Sequence, residues 1–164
     1  DLHLLPRIKL IQLFSQMPSH LERDIFDAVG WWDSHQPPAD YQARLTSFLP
    51  ESSHWSNSAR RWGSEESHLV EAWFEAGRVQ EFFVRIDARA QADSFILGLA
   101  DFAKYCGCLI YTENDEILDH TFASITSAFF RSNAFRFVSS PAAFLENLKE
   151  TPVDIHGRLK GLEE

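Results

Sequence analysis

The chain has 164 residues, 45% hydrophobic and 24% charged, a composition that excludes a disordered tail. At this length one domain can bury roughly 68–70% of its unfolded surface without a disulfide or metal staple. Against 15 Lys and Arg stand 24 Asp and Glu, a formal charge of −9, which repels phosphate backbones and anionic headgroups and so disfavours nucleic acid or a membrane as partner. No apolar run approaches the roughly 18 residues of a bilayer span and no cleavable signal pattern opens the chain, so a soluble, cytoplasmic protein is expected.

In chain order, residues 1–18 read as an N-terminal extension or edge strand, the strand falling on the apolar run from Ile8 to Phe14. Ser19 with Glu22 three residues on has the form of a capping box, and Leu21, Ile25, Ala28 and Val29 then share one face. That spacing predicts a helix over about residues 20–29, stopped by Gly30 in a left-handed conformation. Pro37 and Pro38 fix an extended approach to a second helix carrying Tyr41, Leu45 and Phe48, which Pro50 closes. The Ser-rich, charged stretch 51–67 holds Trp55 and Trp62 and is expected to be a long loop pinned by these aromatics, with Arg60 to Trp62 available as a third antiparallel strand.

The clearest pattern runs from Leu69 to Asp87, where apolar and polar residues alternate on either side of Gly77-Arg78, the signature of a β-hairpin. Asp93 or Ser94 is expected to cap a helix with a stripe of Phe95, Ile96, Leu99, Phe102 and Ala103, broken at Gly107. Cys108 to Tyr111 reads as a strand buried on both faces, turned by Glu113-Asn114-Asp115. Asp119 is expected to cap a helix bearing Phe122, Ile125, Phe129 and Phe130, and Phe135 to Val138 a short strand. Ser140 with Pro141 then starts a last helix whose Phe144, Leu145 and Leu148 face inward, ahead of a loose tail, 151–164. The whole is a single α+β domain over residues 19–150, with helices packed on a mainly antiparallel or mixed sheet of about 4–5 strands.

Chemistry-bearing motifs are scarce. The seven histidines are scattered singly with no pair a helical turn apart, so no metal site is expected. Cys106 and Cys108 are too close in sequence for an unstrained structural disulfide and read as free thiols. There is no Gly-x-Ser-x-Gly elbow, no Ser-x-x-Lys pair, and the glycines are isolated rather than clustered around a phosphate. No catalytic residue and no cofactor is therefore assigned. An enzyme would have to draw on Asp87, Glu113 or Asp119 with a histidine.

Aromatics carry more information. Fourteen Phe, five Trp and three Tyr make 13% of the chain. Trp31, Trp32, Trp55, Trp62 and Trp73 are expected at least partly exposed, and Trp31, Trp32, Trp62 and Trp73 beside Asp33, Glu65, Glu66, Glu71 and Glu75 form a candidate partner-binding surface, apolar at its centre and acidic at its rim. Reversing Glu71 and Glu75 to Lys is then expected to slow association and leave folding nearly intact. The segments Arg61-Trp62-Gly63, Val70 to Phe74, Gly77-Arg78-Val79, Val84 to Arg89, Gly107 to Ile110, Arg136-Phe137-Val138 and Phe144-Leu145 resemble a group of small acidic bacterial proteins of largely uncharacterised function. Some of these are regarded as immunity partners of secreted or contact-delivered toxins. Over Trp31 to Leu148 that resemblance implies an immunity-type protein that binds and neutralises a cognate toxin or other basic partner. The alternatives are a non-catalytic adaptor domain and a homodimer through an exposed Trp on a hairpin edge.

Overall fold

The computed structural model describes residues 1–150, so the expected loose tail lies outside the described residues. Its elements run β1 (Leu2–Pro6), α1 (Arg7–Leu13), α2 (Arg23–Ala28), α3 (Tyr41–Thr46), β2 (Glu51–Ser52), β3 (Ala59–Gly63), β4 (Leu69–Glu75), β5 (Arg78–Arg85), α4 (Asp93–Tyr105), β6 (Cys108–Thr112), β7 (Ile117–Leu118), α5 (Phe122–Arg131), α6 (Asn133–Ser139) and α7 (Pro141–Glu150). The class is α+β. A single sheet holds seven strands in the order β2-β3-β4-β5-β1-β6-β7, every neighbouring pair antiparallel. The count exceeds the expected 4–5 because β2 and β7 are two-residue strands too short to show a period.

That first strand corrects the reading of the N-terminus. Leu2 to Pro6 is no edge: it sits between β5 and β6, with Leu4 opposite Ile110 and Pro6 opposite Cys108 at its end, where a missing N–H costs least. The run expected as strand is instead α1, which needs only Leu10 buried while Ile8 and Ile11 stay exposed. A short apolar run is compatible with either period, and here the strand ends at the proline before it.

Other boundaries moved for identifiable reasons. Ser19 does not cap α2. Its carbonyl accepts the Ile117 N–H at 2.8 Å and the Leu21 N–H donates to Asp115 O at 2.8 Å, so 19–21 is pinned along β7 and the helix starts after Glu22 with no side-chain cap. It ends in extended Val29, and Gly30 takes no positive φ. Asp93 lies inside the first turn of α4, behind Ala92, and Thr121, not Asp119, caps α5 by accepting the Ser124 N–H at 3.1 Å. The expected strand at Phe135–Val138 is helix α6, capped by Ser132 through the Phe135 N–H at 3.2 Å. With β7 already edged by 19–21, that side of the sheet has no free ladder for it to join. In α7 Leu145 and Leu148 are exposed rather than inward.

Alternation divides the sheet into two faces. On one, Trp62, Val70 and Val84 lie in register, as do Ala72 and Phe82. Phe82 is the hub there, its ring 5.1 Å from Trp32, 5.5 Å from Tyr41 and 5.7 Å from Phe102 of α4. The hairpin turn is Ala76-Gly77, both at positive φ (49° and 75°), the primed geometry whose twist suits two paired strands. One extra residue, Gln80, bulges from β5, since Trp73 pairs with Glu81 and Phe74 with Val79. The Gln36 side-chain amide brackets Val79 there, donating to its carbonyl (2.9 Å) and accepting its N–H (2.8 Å). The bulge resets the alternation so that Val79, Phe82 and Val84 all face the helices.

Candidate functional site

The opposite face carries a row of residues in direct register across the strands: Ser52, Arg61, Glu71, Phe83, His3, Tyr111 and Ile117. At one end Phe26 of α2 covers it, stacked 4.4 Å from Tyr111 and tilted 4.8 Å from His3. At the other end the segment after β2 folds back over β3 and β4, and there the polar groups gather.

Glu71 is buried, and its Oε1 receives Arg61 Nε at 2.8 Å and Nη2 at 2.7 Å. Arg61 Nη1 reaches Glu65 Oε1 at 2.8 Å, with Glu65 still 65% exposed. Burial works against the Arg61 charge, but the two carboxylates more than offset this and raise its pKa. His54 sits above Glu71, its side chain only 2% exposed, with Nε2 3.4 Å from Glu71 Oε1 and out of hydrogen-bond alignment. Its Nδ1 accepts the Ser56 N–H at 2.9 Å, which puts the proton of the neutral ring on Nε2. Trp55, 80% exposed, packs against His54 (5.2 Å) and Trp73 (6.2 Å).

Glycine 63 makes this arrangement possible. At φ +85° a Cβ there would lie 2.1 Å from the His68 carbonyl oxygen, so only glycine lets β3 turn tightly into the 64–68 loop that presents Glu65. Arg85 holds that loop by donating from Nη2 to the Glu65 carbonyl.

The sequence-derived surface divides on inspection. Glu65 and Glu71 come together on Arg61, and Trp73 adjoins them through His54 and Trp55. Trp31, Trp32 and Trp62 do not belong to a surface: all three are buried, and their indole N–H groups donate inward to Phe26 O (2.9 Å), Leu4 O (3.2 Å) and Thr46 Oγ1 (3.0 Å). Each large ring meets the core and has an acceptor for its N–H, two of them buried carbonyls and the third the hydroxyl of exposed Thr46, which is why the rings are not left in water. Glu71 is likewise no rim charge, so reversing it would place an ammonium against Arg61 inside the protein. Asp33, Glu66 and Glu75 are exposed but apart from the cluster: Asp33 O accepts from Arg78 (2.7 Å), Glu66 borders a hollow with Asp87 and Arg89, and Glu75 flanks the hairpin turn. Of the five tryptophans expected at the surface Trp55 is the one exposed, and the residue that sequence reasoning missed was His54. A tryptophan set in Ser52-Ser53-His54-Trp55-Ser56-Asn57-Ser58, with no apolar neighbour to draw it inward, was the available signal.

The remaining chemical groups are committed elsewhere. The Asp87 carboxylate takes Arg89 Nε and Nη2, both at 2.9 Å, which lowers its pKa despite desolvation. His68 uses both ring nitrogens on backbone, at Asp87 N (3.1 Å) and Gln91 O (3.0 Å). Cys106 and Cys108 are free and buried; burial, with Asp40 adding, pushes the Cys106 thiol up to about 12, and burial raises Cys108 well above the usual range. Among the described residues no three His, Cys or carboxylate groups converge as a metal site requires, and no helix is long and apolar enough to cross a membrane. Comparison of the chain with protein-family models, curated proteins and solved structures gives no match in any of the three.

Proposed function

We propose that this chain is a cytoplasmic immunity-type protein that neutralises a basic protein toxin by binding it, and that Trp55, Trp73 and Glu65 on the outer sheet face form the docking surface. The observation that carries the reading is Trp55, an indole 80% exposed yet backed by ordered rings. A rigid aromatic of this kind loses little entropy on binding, and such residues supply a disproportionate share of interface energy, typically about 2 kcal/mol or more at a hot spot. The formal charge of −9 and Glu65 beside the indole suit a cationic partner, whose encounter rate long-range attraction raises.

The test is parallel affinity capture from the source lysate with the wild-type chain and with Trp55→Ala and Glu65→Lys. Support would be one basic protein that the wild type retains and both variants release, toxic when produced alone and harmless beside this chain. Undiminished retention by Trp55→Ala would remove the face from the reading. A retained partner with no toxicity would replace the immunity role with an adaptor role, and recovery of only the chain itself would point to a homodimer.

A further inference from the structure

Resting on that docking reading, we infer that the hollow between Trp55 and Glu65 receives a single arginine side chain of the partner, its guanidinium lying on the indole and paired with the Glu65 carboxylate. Trp55, Glu65, His54 and Arg61 line one open hollow beside the 64–68 loop. Among the residues that line it one guanidinium, Arg61, stands against two carboxylates, Glu65 of the lining and buried Glu71; Arg85 lies outside the lining with its Nη2 on the Glu65 carbonyl, and His54, whose Nδ1 accepts the Ser56 N–H, is not counted as a charge. The surplus is one negative charge, and it falls on the exposed member, Glu65, because Glu71 is buried under two Arg61 contacts.

That balance selects the ligand chemistry. An anion would meet the surplus carboxylate, and the hollow lacks the three converging ligands a divalent metal requires. A monovalent organic cation meets both of its needs, a counter-charge and an electron-rich ring face. Of the two cationic side chains, arginine fits better: its planar, weakly hydrated guanidinium can stack flat on indole while donating to a carboxylate in the same plane, which a compact ammonium cannot. The fold already builds this pairing internally, where the Arg60 guanidinium lies 5.6 Å over the Trp62 ring and donates to Glu51 at 2.6 Å. Trp55 is fixed for the role by Trp73, edge-on at 65°, and by His54 at 5.2 Å, so its orientation is set before the partner arrives.

The experiment uses protein labelled with 5-fluorotryptophan, whose five indoles give separate fluorine resonances, that of Trp55 identified by its loss in Trp55→Phe. Acetylated, amidated Gly-Ser-Arg-Ser-Gly is titrated against the same peptide with Gln or Lys in place of Arg. The expected result is a saturable shift at Trp55, smaller at Trp73 and absent at buried Trp32 and Trp62. The shift should be weaker with Lys, absent with Gln, and Glu65→Gln should weaken binding about fivefold. A Trp55 resonance unmoved by the Arg peptide, or moved equally by the Gln peptide, overturns the inference. If Trp55→Ala abolishes partner capture while the Arg peptide leaves Trp55 unmoved, the docking face stands and the arginine anchor falls. If the Arg peptide shifts Trp55 but capture survives Trp55→Ala, the docking reading falls and the hollow is an arginine site the partner does not use.

Discussion

Neutralising Glu71 by Glu71→Gln keeps the shape of the side chain but leaves the Arg61 guanidinium, whose side chain is only 11% exposed, with Glu65 as its single counter-charge. Breaking a buried pair by removing one partner costs about 3–5 kcal/mol, because a desolvated charge is left behind. Glu65 is largely solvated and its screened attraction is worth at most about 1 kcal/mol, so the expected loss sits at the lower end, about 3 kcal/mol. For a domain of this size that lowers the Tm by roughly 6–12 °C. Arg61→Gln should cost a similar amount, since Glu71 then keeps only the misaligned His54 N–H at 3.4 Å. The double variant pairs two neutral amides across β3 and β4 and should recover about 2 kcal/mol relative to the sum of the single changes. Urea unfolding followed by far-ultraviolet circular dichroism measures all four corners of the cycle, with the m-value as a check that the unfolded state is unaltered. A single change costing under about 1 kcal/mol, or strictly additive costs, would refute the claim that Arg61 and Glu71 are a buried, mutually dependent pair. The same reasoning turns Glu71→Lys into a folding lesion, leaving Glu65→Lys as the charge reversal that reports on association.

Three further outcomes follow from particular residues. Ala76 holds a left-handed conformation (φ 49°) at the first position of the hairpin turn, at a cost of about 1–2 kcal/mol for a residue with a Cβ; Ala76→Asn should therefore raise stability by about 0.5–1 kcal/mol, and an unchanged or lowered urea midpoint would count against that turn geometry. Neither thiol should react with Ellman's reagent in the native state, since burial raises both pKa values and hides both sulfurs, whereas two equivalents should titrate in denaturant; fast native labelling would contradict the buried placement. The hydrogen bonds from Arg89 depress the folded pKa of Asp87, so its contribution is present above the unfolded carboxylate pKa of about 4 and fades as pH falls through the lower folded value. Asp87→Asn should thus cost about 0.5–1 kcal/mol at pH 7 and progressively less as pH falls below the unfolded carboxylate value, a trend that urea midpoints of the two proteins against pH would reveal or exclude.

The hairpin, the α4 stripe and the doubly buried β6 were legible because each is long or regular enough for its period to dominate. What misled were segments whose fate depends on distant partners. Ser19 looked like a cap but spends its carbonyl on Ile117, ninety-eight positions away, and Phe135–Val138 has the composition of a strand, but the β7 side of the sheet is already edged by residues 19–21. The proposed binding face was half legible for the same reason. Glu65, Glu71 and Trp73 lie near the hairpin in sequence, but composition cannot tell a carboxylate buried under Arg61 from one at the rim, because that depends on register between β3 and β4. Burial of the three inward tryptophans depends on acceptors at Leu4, Phe26 and Thr46 that sequence adjacency does not connect to a surface or a core.

Separation of the two sheet faces also decides how freely the proposed docking surface can change. Trp62 is fully buried, and its ring meets Tyr41 at 6.4 Å while its indole N–H meets Thr46; Trp62→Ala should cost about 3–5 kcal/mol, a large part of a typical total of about 5–15 kcal/mol. Trp55 leaves most of its surface in water already, so Trp55→Ala forfeits little more than its ring contacts with His54 and Trp73, about 0.5–1 kcal/mol. Thermal melts of the two variants should differ accordingly, by several degrees for each kcal/mol, and comparable losses would mean that Trp55 is structural. The gap matters because a residue spared from the fold's energetics is free to be selected for its partner. On this sheet the face beneath α4 fixes the fold, while the exposed Trp55 can be exchanged without unfolding it.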